Sequence, residues 1–266
     1  MQPLAVIGNL SRDLVDGAPP RVGGAPYWSA RALRELGAPA LVAVKCADFD
    51  RRLLAPPVLA LGLPVLWLAA HSTAAFSFHY EGDRREMTVD ELGEAWTPED
   101  ISFIGDARWV HVGALARSDF PAETLAVLAR DRRVSFDGQG LVRPARTGPL
   151  VLDAEYDPDV LRHVSVLKLA EEEARVLVGE PDAEALASLG VPEILVTFGS
   201  EGSLVFADGR LEPVPARSLP DGVDPTGAGD AFSAAYLVSR SAGYAPVPAA
   251  RRASAVVADV LARTLS

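Results

Sequence analysis

The chain has 266 residues, 49% of them hydrophobic, enough to bury a large core. Its formal net charge is −11, which argues against a nucleic-acid partner, since such binders carry a basic footprint. The one cysteine, Cys46, excludes an intramolecular disulfide and suits a reducing compartment.

In chain order, Leu4-Ala5-Val6-Ile7 is a short apolar run stopped by Gly8 and reads as a buried strand. Trp28 to Leu36 has helical spacing with Gly37 as its stop, and Leu41 to Val44 is the next apolar strand. The stretch 53–70 is the most apolar, but Pro56, Pro57, Gly62 and Pro64 interrupt it. It reads as a helix followed by a strand at Val65–Leu68, not as a membrane span. The N-terminus lacks the basic-then-apolar pattern of a secretory signal, so a cytoplasmic location is expected. Residues 73–89, with Phe76 and Phe78 on one face and a turn at Glu81-Gly82-Asp83, read as a β-hairpin inserted between α/β units. Strands are then expected at Trp109–Val112, Val134–Phe136, Val164–Leu167 and Ile194–Thr197, with helices at Ala122–Arg130 and Glu171–Val178. This alternation predicts an α/β fold with a mostly parallel central sheet covered by helices. His71, His79, His111 and His163 are scattered without the spacing of a zinc site and read as structural.

The most informative segment is Asp224-Pro225-Thr226-Gly227-Ala228-Gly229-Asp230, which runs into the apolar helical stretch Ala231 to Val238. A helix N-terminus carries unpaired N–H groups and a partial positive charge, and small residues let a phosphate approach those amides. Asp230, in the first turn, is placed to accept a proton from an attacking hydroxyl; as a bare glycine turn the same residues would merely start and cap a helix. No Gly-Lys-Ser/Thr follows, so this is not a Walker A loop, and Gly8-Asn9-Leu10-Ser11 supplies no dinucleotide fingerprint after the first strand.

The longer string, continued through Ala231-Phe232, resembles the C-terminal signature of the ribokinase (PfkB) family of sugar and nucleoside kinases. Other stretches extend the resemblance over nearly the whole chain. Val6-Ile7-Gly8-Asn9 with Asp13 is similar to the family's first strand and its substrate-binding aspartate. Val22-Gly23-Gly24 resembles the double-glycine motif, Leu167 to Ala174 the stretch carrying Asn-x-x-Glu, and Val196 to Gly202 the nucleotide-binding strand and turn. The resemblance implies one kinase domain over residues 1–266, a ribokinase-like three-layer α/β/α sandwich, with the segment at about 73–89 as an inserted β lid. It implies MgATP as donor and a small-molecule hydroxyl as acceptor, with no nucleic-acid or membrane partner, in a monomer or homodimer. Asp230 would be the base, with the amides of Gly227, Ala228 and Gly229 as anion hole. Asp13, Asn9, Gly23, Gly24 and Trp28 would bind the acceptor. Thr197, Gly199, Gly202, Asp224 and Lys168 would line the nucleotide site, and Glu173 would act on Mg2+ through water.

Three positions depart from the family pattern. Trp28 stands where an asparagine commonly follows the double glycine, and with Tyr27 it either stacks on an acceptor ring or packs the core. Ala170 replaces the asparagine of Asn-x-x-Glu, and Pro225 fills a slot usually small or β-branched. The run Asp137-Gly138-Gln139-Gly140-Leu141-Val142-Arg143 stands where the family often reads Asp-Pro-Asn-x-Arg, and is more like some nucleoside- or inositol-type members. Arg143 there either approaches a phosphate or is solvated. The rival to a kinase is a ligand-binding or regulatory protein on the same scaffold, favoured by Trp28 and Ala170 and opposed by the intact Gly-Ala-Gly-Asp.

Overall fold

The structure, a computed structural model, describes residues 3–81, 84–217 and 225–262. Asp224 and the hairpin-turn residues Gly82 and Asp83 lie outside them.

In chain order the strands are β1 (Leu4–Asn9), β2 (Ser11–Val15), β3 (Arg21–Gly23), β4 (Ala40–Ala47), β5 (Val65–Ala70), β6 (Ala74–Glu81), β7 (Arg84–Glu91), β8 (Trp109–Gly113), β9 (Arg133–Asp137), β10 (Gly148–Pro149), β11 (Val166–Ala170), β12 (Glu193–Thr197), β13 (Ser203–Ala207) and β14 (Arg210–Val214). The α-helices are α1 (Ala25–Glu35), α2 (Arg51–Leu59), α3 (Pro98–Ile101), α4 (Ala122–Leu128), α5 (Gln139–Val142), α6 (Glu171–Val178), α7 (Ala183–Ala187), α8 (Ala228–Ser241) and α9 (Pro246–Ala262).

Among the described residues the strands form two sheets. The larger runs β14-β13-β12-β11-β9-β8-β1-β4-β5, parallel from β12 to β5, with β13 and β14 added antiparallel at one edge. Its central strands are apolar because both faces are covered. Alternate residues of β8, β9 and β11 point to opposite sides: Val110, Val112, Val134, Phe136, Leu167 and Leu169 join one core cluster, while Trp109 and Val166 join the cluster built with α8 and α9. The chain starts in the middle at β1, moves outward through β4 and β5, then returns to β8 on the other side. The strand order reverses between β1 and β8, where the carboxyl ends of an open α/β sheet leave a crevice. No described helix is long and apolar enough to cross a membrane.

The smaller sheet corrects the expected hairpin. β6 and β7 do pair antiparallel, but β2 and β3 from the start of the chain and β10 join them, in the order β10-β7-β6-β2-β3. The insert is therefore a five-stranded sheet, and β2 follows β1 after one residue, so it grows directly out of the core. Phe76 and Phe78 face a small cluster with Ala74, Val89 and Leu115. Arg12 on β2 ties this sheet to the body: it pairs with Glu91 on β7 and, at 3.3 Å, with Asp50 just before α2.

One strand shifts. The apolar run 164–167 begins as a strand only at Val166, because the 3-10 turn Pro158–His163, started by the Asp157 side chain on the Asp159 amide, carries the chain to Val164.

Candidate active site

The N-terminus of α8, the carboxyl ends of β11 and β12 and the inner face of the smaller sheet enclose a cleft of about 670 Å³. Its lining includes Asp13, Gly24, Trp28, Phe76, Phe78, Arg143, Lys168, Glu173, Thr197, Gly199 and residues 225–230.

α8 is rich in alanine and starts abruptly at Gly227, whose φ of 81° is left-handed and open to glycine at little cost. Gly227 at the N-cap position has no side-chain cap hydrogen bond among the described residues. The Ala228 amide donates to the Pro225 carbonyl at 3.0 Å, so it closes the turn and differs in this from the anion-hole role the sequence implied for it. The indole of Trp28 lies flat against the turn: a Cβ on Gly227 would come within 2.6 Å of it. Tyr27 meets Trp28 edge-on with centroids 5.1 Å apart and packs against the α2 side of the core. The two aromatics thus divide the two readings, Tyr27 packing the core and Trp28 walling the cleft.

Asp230 follows in the first turn of α8. Its backbone carbonyl accepts from Ser29 Oγ at 3.3 Å, while its carboxylate Oδ1 has no hydrogen-bond partner among the described residues. Burial, and then the negative charge of Asp137, push its pKa up to about 7 against the pull of Lys168 and Arg143. Lys168, buried on β11, lies 3.7 Å from Asp137 Oδ2. Burial opposes its charge, but Asp137, Glu173 and Asp230 outweigh that and raise its pKa, so it stays an ammonium. A Cβ on Gly229 would sit 2.9 Å from its Nζ, which puts this cation directly beside the glycine turn.

Glu173 is buried and reaches back to accept the Ala170 amide at 2.7 Å. Ala170 therefore contributes its backbone where the family carries an asparagine side chain. Burial and Asp137 raise the Glu173 pKa against Lys168. Asp137 accepts from the Gln139 amide at 3.1 Å through Oδ1, and its buried Oδ2 has no hydrogen-bond partner among the described residues. Hard carboxylate oxygens with spare lone pairs, at a site too acidic for its own cations, fit a magnesium ion that keeps much of its water.

Asp13 is buried in the mouth of the smaller sheet, accepting from Ser11 Oγ at 2.7 Å. Its carboxylate occupies the place of a Cβ on Gly23, which explains the glycine there. Asn9 is elsewhere: it donates to the Glu94 carbonyl at 3.2 Å and accepts from Trp96 Nε1 at 3.0 Å, so its amide is spent on folding and does not line the cleft. Thr197 lines the cleft and donates to the Leu169 carbonyl at 3.2 Å, with Gly199 beside it. Gly202 instead packs on the backbone of Val214, which a Cβ would approach to 2.3 Å.

Asp137 and His111 were not among the expected site residues. His111 sits fully buried on β8 with Nδ1 3.2 Å from Ser135 Oγ, and a ligand nitrogen of His111, a carboxylate oxygen of Asp137 and one of Asp230 all lie within 4.8 Å of one another. The scattered histidines therefore include one at the heart of the site. The signal was a polar residue in the middle of an apolar strand.

Comparison with known proteins bears on the family and the fold. The chain is 27% identical over 262 residues to the cytidine kinase of Thermococcus kodakarensis, covering 91% of this chain and 90% of that protein. It is 32% identical over 168 residues to a fructokinase of Klebsiella pneumoniae, covering 56% of this chain and 51% of the fructokinase. Among solved structures, a pyrophosphate-dependent kinase in the ribokinase family, complexed with a pyrophosphate analogue and myo-inositol, superposes with TM-score 0.85 at 28% identity, covering 97% of this chain and 94% of that one. Arabidopsis thaliana ribokinase, complexed with ribose and ATP, shares the fold at TM-score 0.74 and 21% identity, covering 97% of this chain and 91% of that one. Residues 21–264 match the pfkB family carbohydrate kinase description, and the chain belongs to that family of ATP-dependent phosphotransferases.

Proposed function

We propose that the protein transfers the γ-phosphoryl group of MgATP to a hydroxyl of a small ring-bearing alcohol: a sugar, polyol or nucleoside. The carrying observation is Asp230, a carboxylate whose Oδ1 has no hydrogen-bond partner among the described residues, in the first turn of a helix that starts at a glycine and lines a cleft walled by Trp28 and the smaller sheet. Asp230 takes the proton of the attacking hydroxyl as the oxygen meets the phosphorus. The amides of Gly227 and Gly229, with the dipole of α8 behind them, face the charge that builds on the transferring group. Lys168 adds a fixed positive charge beside Gly229. Asp13 and Gly24 orient the acceptor, Trp28 offers it a flat face, and Thr197 and Gly199 flank the donor. Glu173 and Asp137 would hold magnesium, through its waters. When bound, magnesium supplies neutralising charge for the donor phosphates. The smaller sheet excludes water from the cleft.

The acceptor is tested by a thermal-shift screen of cytidine, ribose, fructose and myo-inositol with a non-hydrolysable ATP analogue, followed by kinetics on the hits. A parallel arm with magnesium pyrophosphate is included because of the inositol-bound neighbour. Turnover of none of these acceptors with either donor, against clear ligand stabilisation, would make the protein a sensor on a kinase scaffold.

Two further results are expected. Trp28→Ala should raise the acceptor KM by roughly tenfold, the loss of one stacking face, with kcat changed far less. Equal KM values would put Trp28 outside the acceptor site. The pH profile follows from Asp230, whose active form is the carboxylate. With its pKa near 7, kcat/KM should rise about tenfold per pH unit below that value and level off above it. The apparent value belongs to the carboxylate cluster as a whole. A flat profile from pH 5 to 9 would contradict the assignment.

A further inference from the structure

A row of polar side chains crosses the face of the large sheet under α8. His111 on β8 pairs in register with Ser135 on β9, and Asp137 on β9 with Lys168 on β11. All four are buried, and their strand neighbours on the opposite face are valine, phenylalanine and leucine. Burying polar groups costs stability unless each finds a partner, so such a row needs a reason. Asp137 and Lys168 have one in each other and in the phosphate site. His111 does not: its Nε2 is buried without a hydrogen-bond partner among the described residues, and so are Asp137 Oδ2 and Asp230 Oδ1. These groups belong to three residues whose ligand atoms lie within 4.8 Å of one another.

We propose that His111 is a positioning residue for the catalytic base, presenting Nε2–H to the carboxylates of Asp230 and Asp137 and so fixing the rotamer of Asp230 toward the cleft. The inference rests on Asp230 being the base. The role requires the Nε2–H tautomer. Nδ1 lies 3.2 Å from Ser135 Oγ, which is able to donate to it, and the Ser135 backbone also contacts the ring, while Nε2 has no hydrogen-bond partner among the described residues. On this inference the Ser135 hydroxyl holds the tautomer and His111 holds the base. The arrangement acts through Asp230 and touches neither substrate.

The test is steady-state kinetics with MgATP and whichever of cytidine, ribose, fructose or myo-inositol turns over fastest, on His111→Phe, His111→Gln and Ser135→Ala, with melting temperatures alongside. Phenylalanine keeps the ring and removes both nitrogens, whereas glutamine places an amide N–H close to the position of Nε2. His111→Phe should lose roughly 10–100-fold in kcat with acceptor and donor KM within about threefold of wild type. His111→Gln should recover at least about tenfold of that loss, and Ser135→Ala should lose roughly 3–10-fold in kcat alone. If His111→Phe fails to fold, the other two variants decide. The proposal is overturned if Ser135→Ala and the folded His111 variants keep kcat within twofold of wild type, or if His111→Gln is no faster than His111→Phe. Asp230→Asn separates the two claims. An inactive Asp230→Asn beside a fully active His111→Phe removes the positioning role alone, whereas an active Asp230→Asn removes the base and this inference with it.

Discussion

Asp230→Asn should lower kcat by roughly 10³–10⁴-fold while leaving acceptor and donor binding within a few-fold of wild type. Asparagine keeps the size of the side chain and the backbone carbonyl that accepts from Ser29, so the start of α8 is preserved. On the proposed mechanism, what it removes is the ability to accept a proton at the point where the hydroxyl oxygen attacks. The substitution also takes a charge out of a cluster that already holds Asp137 and Glu173, in which burial and the neighbouring carboxylate charges raise the pKa of Asp230 and of Glu173. The variant should therefore melt no lower than wild type at pH 8. Loss of turnover together with a lower Tm would point to structural damage instead. Near-normal kcat would assign the base elsewhere.

Gly227→Ala should cost about 10²–10³-fold in kcat/KM, because it disturbs the amides proposed to stabilise the transferring phosphoryl group. Two effects act together. The left-handed φ of 81° costs a residue with a Cβ roughly 1–2 kcal/mol. The new Cβ would also meet the Trp28 indole at 2.6 Å, closer than van der Waals contact allows. The turn must open or the indole must move, and either displaces the amides at the head of α8. For a chain of this size the strain should lower Tm by about 2–8 °C. The steric part is separable. In the double variant Gly227→Ala/Trp28→Ala the ring is gone, so part of the lost kcat should return, a coupling that independent sites would not show. Strict additivity would mean that the φ requirement acts alone.

Much of the fold was legible because its strongest signals are local. The central strands are buried on both faces, so they appear as unbroken apolar runs such as Leu4–Ile7 and Ile194–Thr197. The glycine turn at the head of α8 was legible for the same reason: Gly227, Ala228, Gly229 and Asp230 are contiguous, and a helix N-terminus is assembled from neighbours in sequence. The smaller sheet was only half legible. Its hairpin has two long strands, but Ser11–Val15 carries serine, arginine and aspartate, and Gly148–Pro149 is two residues long. Neither shows a period that announces a strand. Least visible was the grouping of His111, Asp137 and Asp230. Their sequence separation hides them, and only the parallel register of β8 and β9 under α8 brings them together. Asn9 erred in the opposite direction: its place beside the first strand suggested the acceptor, but Trp96, far along the chain, claims its amide.

The most direct test of the central claim is 31P NMR of a reaction containing MgATP and the best acceptor from the panel, run with wild type and with Asp230→Asn. The account predicts a new phosphomonoester resonance with wild type, growing in step with ADP, and none above background with Asp230→Asn. Equal phosphoester formation by the two proteins, or ATP consumed by wild type with only inorganic phosphate appearing, would contradict it.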